Sequence, residues 1–182
     1  MHSYKSVLCA TLAFVALSAQ AQDFRTELVK KFPDAKGARI EKAWPGYYAV
    51  GKDSDGSRKL YIFSDPDCPF CRKLESEIEK LPDTSVYIFP MPFDGLRPNS
   101  QVVSRAILCS KNPVASWEAY LNRQELPSEF GATEACVKPI ARNLEAAKRL
   151  SIYGTPSLIF DDGTLVPGLI TCDQIIQLLN KA

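Results

Sequence analysis

One stretch limits what this chain can become. Residues 64 to 81 read SDPDCPFCRKLESEIEKL, and they follow the short apolar run RKLYIFS. The run reads as a buried, β-rich strand. The segment after it reads as a helix, with Pro69 suited to a first helical turn. Cys68 and Cys71 therefore stand in a Cys-x-x-Cys pattern where a strand hands over to a helix. A helix N-terminus offers unpaired N–H groups and the positive end of the helix dipole. A thiolate at Cys68 is favoured there, so its pKa should fall and it should be the attacking sulfur. Cys71, one turn further in and expected to be more buried, is placed to resolve the mixed disulfide that Cys68 forms.

Two other uses of the pair are weaker. A zinc site wants four ligands, commonly from paired short spacings, but the other cysteines stand alone and far apart. A purely structural Cys-x-x-Cys disulfide closes too small a loop to stabilise much. Histidine is no help to a metal or to a Cys-His triad. The chain has one, His2, and it lies in a segment expected to be removed.

That segment is residues 1–21, which read as a secretory signal peptide. Lys5 supplies the positive end, VLCATLAFVAL is a short apolar run, and SAQA ends in small residues, so cleavage is expected after Ala21. The run is too short to span a bilayer, although an uncleaved anchor is the alternative. Cys9 leaves with it. Of 22 basic residues, removal of Lys5 leaves 21, against 21 acidic ones, so the mature chain is formally neutral. No nucleic-acid partner is expected from that balance. Five cysteines remain of six, an odd number, in a compartment where disulfides persist.

Along the mature chain, DFRTELVKKF spaces its apolar residues as a short helix, and ARIEKAW and GYYAV read as strands. SVYIFP is a strand after the Cys-x-x-Cys helix. From 98 to 150 the pattern turns helical, in SQVVSRAILCS, PVASWEAYLN and TEACVKPIARNLEAAKRL, with Pro139 expected to end or kink the last. PSLIF, the turn DDGT and LVPG read as a hairpin, and TCDQIIQLLNKA as a closing helix with Thr171 and Gln174 as a capping box. The expectation is an α/β layer with helices on both faces.

A second signal is independent of the cysteines. Pro156, in YGTPSLIF, opens what should be a central strand, where proline is normally excluded. A cis Thr155–Pro156 bond resolves the conflict, and an ordinary trans proline at a strand edge is the alternative.

Taken together, the chain resembles the thioredoxin-fold oxidoreductases, and most closely the periplasmic DsbC/DsbG disulfide isomerases. FSDPDCPFC is similar to their active-site segment, and GTPSLIFDDGTLVPG to their Thr-Pro and hairpin segment. AILCSKNP and EACVKPI fall where that family carries a second disulfide. The resemblance spans roughly residues 58 to 182. It implies a thioredoxin-like fold with a central mixed sheet and a helical insertion at about 98–150. It also implies redox-active Cys68 and Cys71, a cis-Pro156, and a structural Cys109–Cys136 bond. Thr155 and Pro156 would form the platform for the substrate backbone. No cofactor is implied, since electrons pass through thiols. The implied partners are exported proteins with cysteines, and a membrane thiol reductase of the DsbD type or an oxidase of the DsbB type.

Residues 22–57 depart from that family, whose members carry an N-terminal dimerisation domain and a helical linker. The segment resembles only the opening of that domain, so it is expected to be a short helix and strand extension, and a monomer is favoured over a homodimer. The pair Pro69-Phe70 contains no ionisable group, and Ile62 stands where thioredoxin likeness would put a buried acid. Asp65 and Asp67 would either raise the Cys68 pKa modestly or be solvated loop carboxylates. The expected poise is oxidising but not extreme, nearer an isomerase than thioredoxin. The run FPMPF, 89–93, either rims a substrate groove or belongs to the core. Cys172 is expected to be a buried thiol, with a dimer-linking disulfide as the alternative. The competing function is a non-catalytic thioredoxin-fold chaperone or assembly factor for unfolded exported chains.

Overall fold

The computed structural model describes residues 58–131 and 133–181. The expected signal peptide, with its cleavage after Ala21, and the helix and strands expected within 22–57 lie outside the described residues.

Strand β1, Arg58–Ser64, is buried on both faces over its last five residues. That explains its near-continuous apolar sequence, since a strand covered by layers on both sides has no solvent face to alternate with. It pairs in parallel with β2, Thr84–Pro90, and antiparallel with β3, Ser157–Phe160. β3 pairs antiparallel with β4, Leu165–Pro167, giving the order β2-β1-β3-β4. The hairpin turns at Gly163, whose φ of 81° suits glycine.

Five helices are described. α1 is Pro69–Ile78, α2 Ser100–Leu108, α3 Pro113–Arg123, α4 Glu134–Arg149 and α5 Cys172–Leu179. Side chains alternate across a strand, so the sheet sorts them into two cores. Leu60, Ile62, Val86, Ile88 and Leu158 pack with Leu74, Ile107, Trp117 and Ile175, from α1, α2, α3 and α5. On the other face Tyr61, Phe63, Phe89 and Ile159 pack with Ala146 and Ala147 of α4. The helices therefore cover both faces, as the sequence suggests.

α3 starts at Asn112, whose side chain accepts from the Ala115 N–H, and it stops at Gln124, which is left-handed with φ 57°. α5 carries the Thr171–Gln174 capping box. Pro139 does not end a helix: α4 runs on for ten residues beyond it, to Arg149. Both sides of the proline are held. A disulfide fixes Cys136 to Cys109, and beyond the proline Ile140, Asn143, Ala146 and Ala147 are buried. Asn143 also donates to the Pro90 carbonyl at 3.0 Å.

Candidate active site

β1 ends at Ser64, and the turn Asp65-Pro66-Asp67 delivers Cys68 to the start of α1. Cys68 is the N-cap residue, extended at φ −77° and ψ 121°, with Pro69 next. No side chain caps this helix, so its first N–H groups face the Cys68 sulfur instead of a hydroxyl or carboxylate. Across the site the Thr155–Pro156 bond is cis, and the Cys68 thiol donates to the Thr155 carbonyl at 3.3 Å. The Gly168 N–H donates to the Pro156 carbonyl at 2.7 Å, which ties the segment after β4 to the same place. Thus Cys68 and Cys71 meet Thr155 and Pro156, 84 to 88 positions further along the chain, because β3 lies beside β1 in the sheet.

Both thiols are buried, Cys68 with 0 % and Cys71 with 1 % of its surface exposed. Their exposed surfaces are alike, but Cys71 lies deeper, as expected, and the two sulfurs differ in what they touch. The Cys71 thiol, hydrogen-bonded to the Cys68 sulfur, is the largest influence lowering Cys68 from 9.0 to about 5. The backbone N–H groups of Cys71 and Phe70 and the Thr155 side chain act in the same direction, and burial opposes them. Burial, then the bond to Cys68, pushes Cys71 far up. At neutral pH the thiolate is thus favoured on Cys68 and the thiol on Cys71.

The acids before Cys68 are not solvated loop carboxylates, nor do they set its pKa. Asp65 is fully buried and paired with Arg97 at 2.9 Å. Asp67 accepts from the Tyr120 hydroxyl. Sequence reasoning missed Arg97, Ser100 and Tyr120, although the Asp-Pro-Asp turn carried one local sign. The Asp67 N–H donates to Asp65 Oδ1, the bond of an Asx-turn.

The remaining candidates fall as follows. Cys109 and Cys136 are joined by a disulfide with their Cα atoms 5.2 Å apart, which ties the end of α2 to the start of α4. Cys172 is buried and free, but the first turn of α5 does not favour its thiolate. Burial, Asp173 and Glu77 raise its pKa. Phe89 and Met91 lie in the core, which decides the reading of FPMPF against a groove rim. Among the described residues no group of three or more His, Cys, Asp or Glu is gathered that could hold a metal. No described helix is long and apolar enough to cross a membrane.

Comparison with known proteins agrees with this geometry. Residues 52–182 match the family described as thioredoxin-like domain. Over 121 residues the chain is 31% identical to a Bordetella parapertussis protein named as a probable thiol:disulfide interchange protein, DsbC. That alignment covers 66% of this chain and 41% of the relative. Identity to the Escherichia coli thiol:disulfide interchange protein DsbC is 25% over 124 residues, covering 67% of this chain and 50% of that one. The chain thus spans about half the length, or less, of these curated relatives. A crystal structure of a disulfide interchange protein from Neisseria gonorrhoeae superposes with a TM-score of 0.67 at 30% identity. It covers 73% of this chain and 94% of that one. With its mixed sheet, its helices on both faces and a match over most of its length, the chain belongs to the thioredoxin-like domain family.

Proposed function

We propose that the protein is a thiol:disulfide oxidoreductase of the interchange type, working through Cys68 and Cys71 on exported proteins that contain cysteines. The observation that carries the reading is the contrast between the two sulfurs. Cys68 is lowered to about 5 at a helix N-cap, and Cys71 beside it is held protonated by burial. The Cys68 thiolate attacks a substrate disulfide, forming a mixed disulfide and releasing one substrate thiolate, which takes up a proton. Cys71 then loses its proton and attacks the Cys68 sulfur. The substrate leaves with both cysteines reduced, and the pair Cys68–Cys71 is oxidised by the same two electrons. In reverse, the oxidised pair makes a disulfide in a dithiol substrate.

Thr155 and Pro156 serve as the platform for the substrate backbone. Three exposed apolar residues support that role. Phe70 lies within the Cys-x-x-Cys, Tyr153 precedes Thr155, and Leu169 follows the Gly168 that bonds Pro156. An unfolded chain offers apolar side chains to such a surface. The protein acts in the periplasm after removal of residues 1–21, as a monomer. A DsbD-type membrane reductase resets the pair if it works reduced, and a DsbB-type oxidase if it works oxidised. The competing chaperone reading rested on the run 89–93, and its burial removes that support.

Cys68→Ala is the test. It should abolish turnover in insulin-reduction and scrambled-ribonuclease assays, and retained activity refutes the assignment. Trapping mixed disulfides with Cys71→Ala from periplasmic extract then identifies the substrates.

A further inference from the structure

Asp65 stands three residues before Cys68 and none of its surface is exposed. Its carboxylate gathers four donors. The N–H groups of Asp67 and Phe93 and the Arg97 guanidinium each lie at 2.9 Å, and the Ser100 hydroxyl is the fourth. Arg97 also neutralises the charge, as a buried carboxylate requires. The donors come from the Cys-x-x-Cys turn, from the connection after β2, and from the first residue of α2. One side chain therefore joins three segments.

The main chain of the same residue faces the cysteines. Its N–H donates to the Cys71 sulfur at 3.5 Å, and its carbonyl accepts from the Cys68 N–H at 3.0 Å. A bond to sulfur at that distance is weak alone, so its direction depends on how firmly the donor is held.

We propose that Asp65 is a positioning residue for the Cys68–Cys71 pair: its carboxylate, held by four donors, fixes the main-chain groups that bond both cysteines. This rests on the reading of the pair as the exchange centre and names a residue that tunes it. The Asp65 N–H occupies the Cys71 sulfur as an acceptor and leaves its S–H aimed at Cys68. Loosening Asp65 weakens that bond, so the Cys68 thiolate loses its main stabiliser and the pair becomes less oxidising. An account from charge alone has the opposite sign. Removing a carboxylate near Cys68, and leaving Arg97 without its counter-ion, would lower the Cys68 pKa.

Two variants of the full chain separate these outcomes. Asp65→Asn keeps the size but presents an N–H₂ where the carboxylate only accepted. Ser100→Ala removes one donor and changes no charge. The Cys68 pKa is read from ultraviolet thiolate absorbance, with Cys68→Ala as the blank, and the thermal midpoint is measured alongside. The expected result is a Cys68 pKa raised by roughly one unit in Asp65→Asn and by a smaller step in Ser100→Ala. The reduction potential should move to more negative values in both. A lowered midpoint with an unchanged Cys68 pKa in both variants makes Asp65 merely structural and overturns the proposal. So does a Cys68 pKa that falls in Asp65→Asn. If Asp65→Asn does not fold, Ser100→Ala decides: a raised pKa supports the proposal and an unchanged one overturns it. The titration reads a thiol directly, so failure of the exchange reading would appear separately, as missing turnover by the unaltered protein.

Discussion

The Tyr120 hydroxyl donates to Oδ1 of Asp67 at 2.6 Å, so α3 of the helical insert is tied to the residue next to Cys68. Burial, then the bond to Asp67, raises Tyr120 to about 12, and the phenol stays a donor across the physiological range. Tyr120→Phe keeps the ring and deletes the donor. Hydrogen bonds to charged groups contribute about 1.5–3 kcal/mol, and with Asp67 half-buried the lower end applies. Urea unfolding should register that loss, and an unchanged midpoint would contradict it.

The pH dependence of the reduced protein follows from Cys68. Its folded pKa, about 5, lies below the ordinary 9.0, so its stabilising effect is present above the ordinary value and is lost as pH falls through about 5. Cys71 has the other sign. Its raised pKa leaves stability intact below 9.0 and removes it above. Reduced protein should therefore gain stability from about pH 5 towards pH 9 and lose it beyond. Denaturant titrations across that range, repeated on Cys68→Ala, check this, because the rise should vanish in the variant. The rate of Cys68 alkylation should likewise be flat near neutrality and fall below about pH 5.

Replacing Cys109 and Cys136 together by alanine should cost roughly 3 to 4 kcal/mol, because the bond closes a long loop in the unfolded chain. The two positions are 27 apart in sequence. Comparison of unfolding under oxidising conditions measures the difference. Turnover should persist in the folded variant, since neither cysteine touches the Cys68–Cys71 pair.

Cys172 should resist alkylation in the native protein, and its burial and raised pKa both act against reaction. Light scattering should give the same monomer mass with and without reductant. A dimer that disappears on reduction would mean that Cys172 leaves its packed position to bridge two chains.

Local chemistry was the legible part of this protein. RKLYIFS is β1 because a strand covered on both faces is apolar over its covered length, here Leu60 to Phe63. Pro69 marks the start of α1, and Thr171 and Gln174 cap α5 within their own turn. What could not be read depended on distant partners. Asp65 turns inward only because topology brings Phe93, Arg97 and Ser100, 28 to 35 positions away, to its carboxylate. α4 tolerates Pro139 because a disulfide and a buried face hold it on either side. The complete cover over Cys68, although it stands at a helix N-terminus, is likewise a property of the assembled fold, not of the Cys-x-x-Cys spacing.

Cys68 and Cys71 belong to the same apolar cluster as Leu60, Ile62 and Ile175. Oxidising them alters the interior that holds the sheet to its helices. Folding and electron transfer are then two legs of one closed thermodynamic cycle. Any gap in stability between the dithiol and disulfide forms must equal the gap in redox free energy between folded and unfolded chain. Two melting curves of this domain, one for each redox form, therefore also report how far the fold shifts the redox balance of the pair.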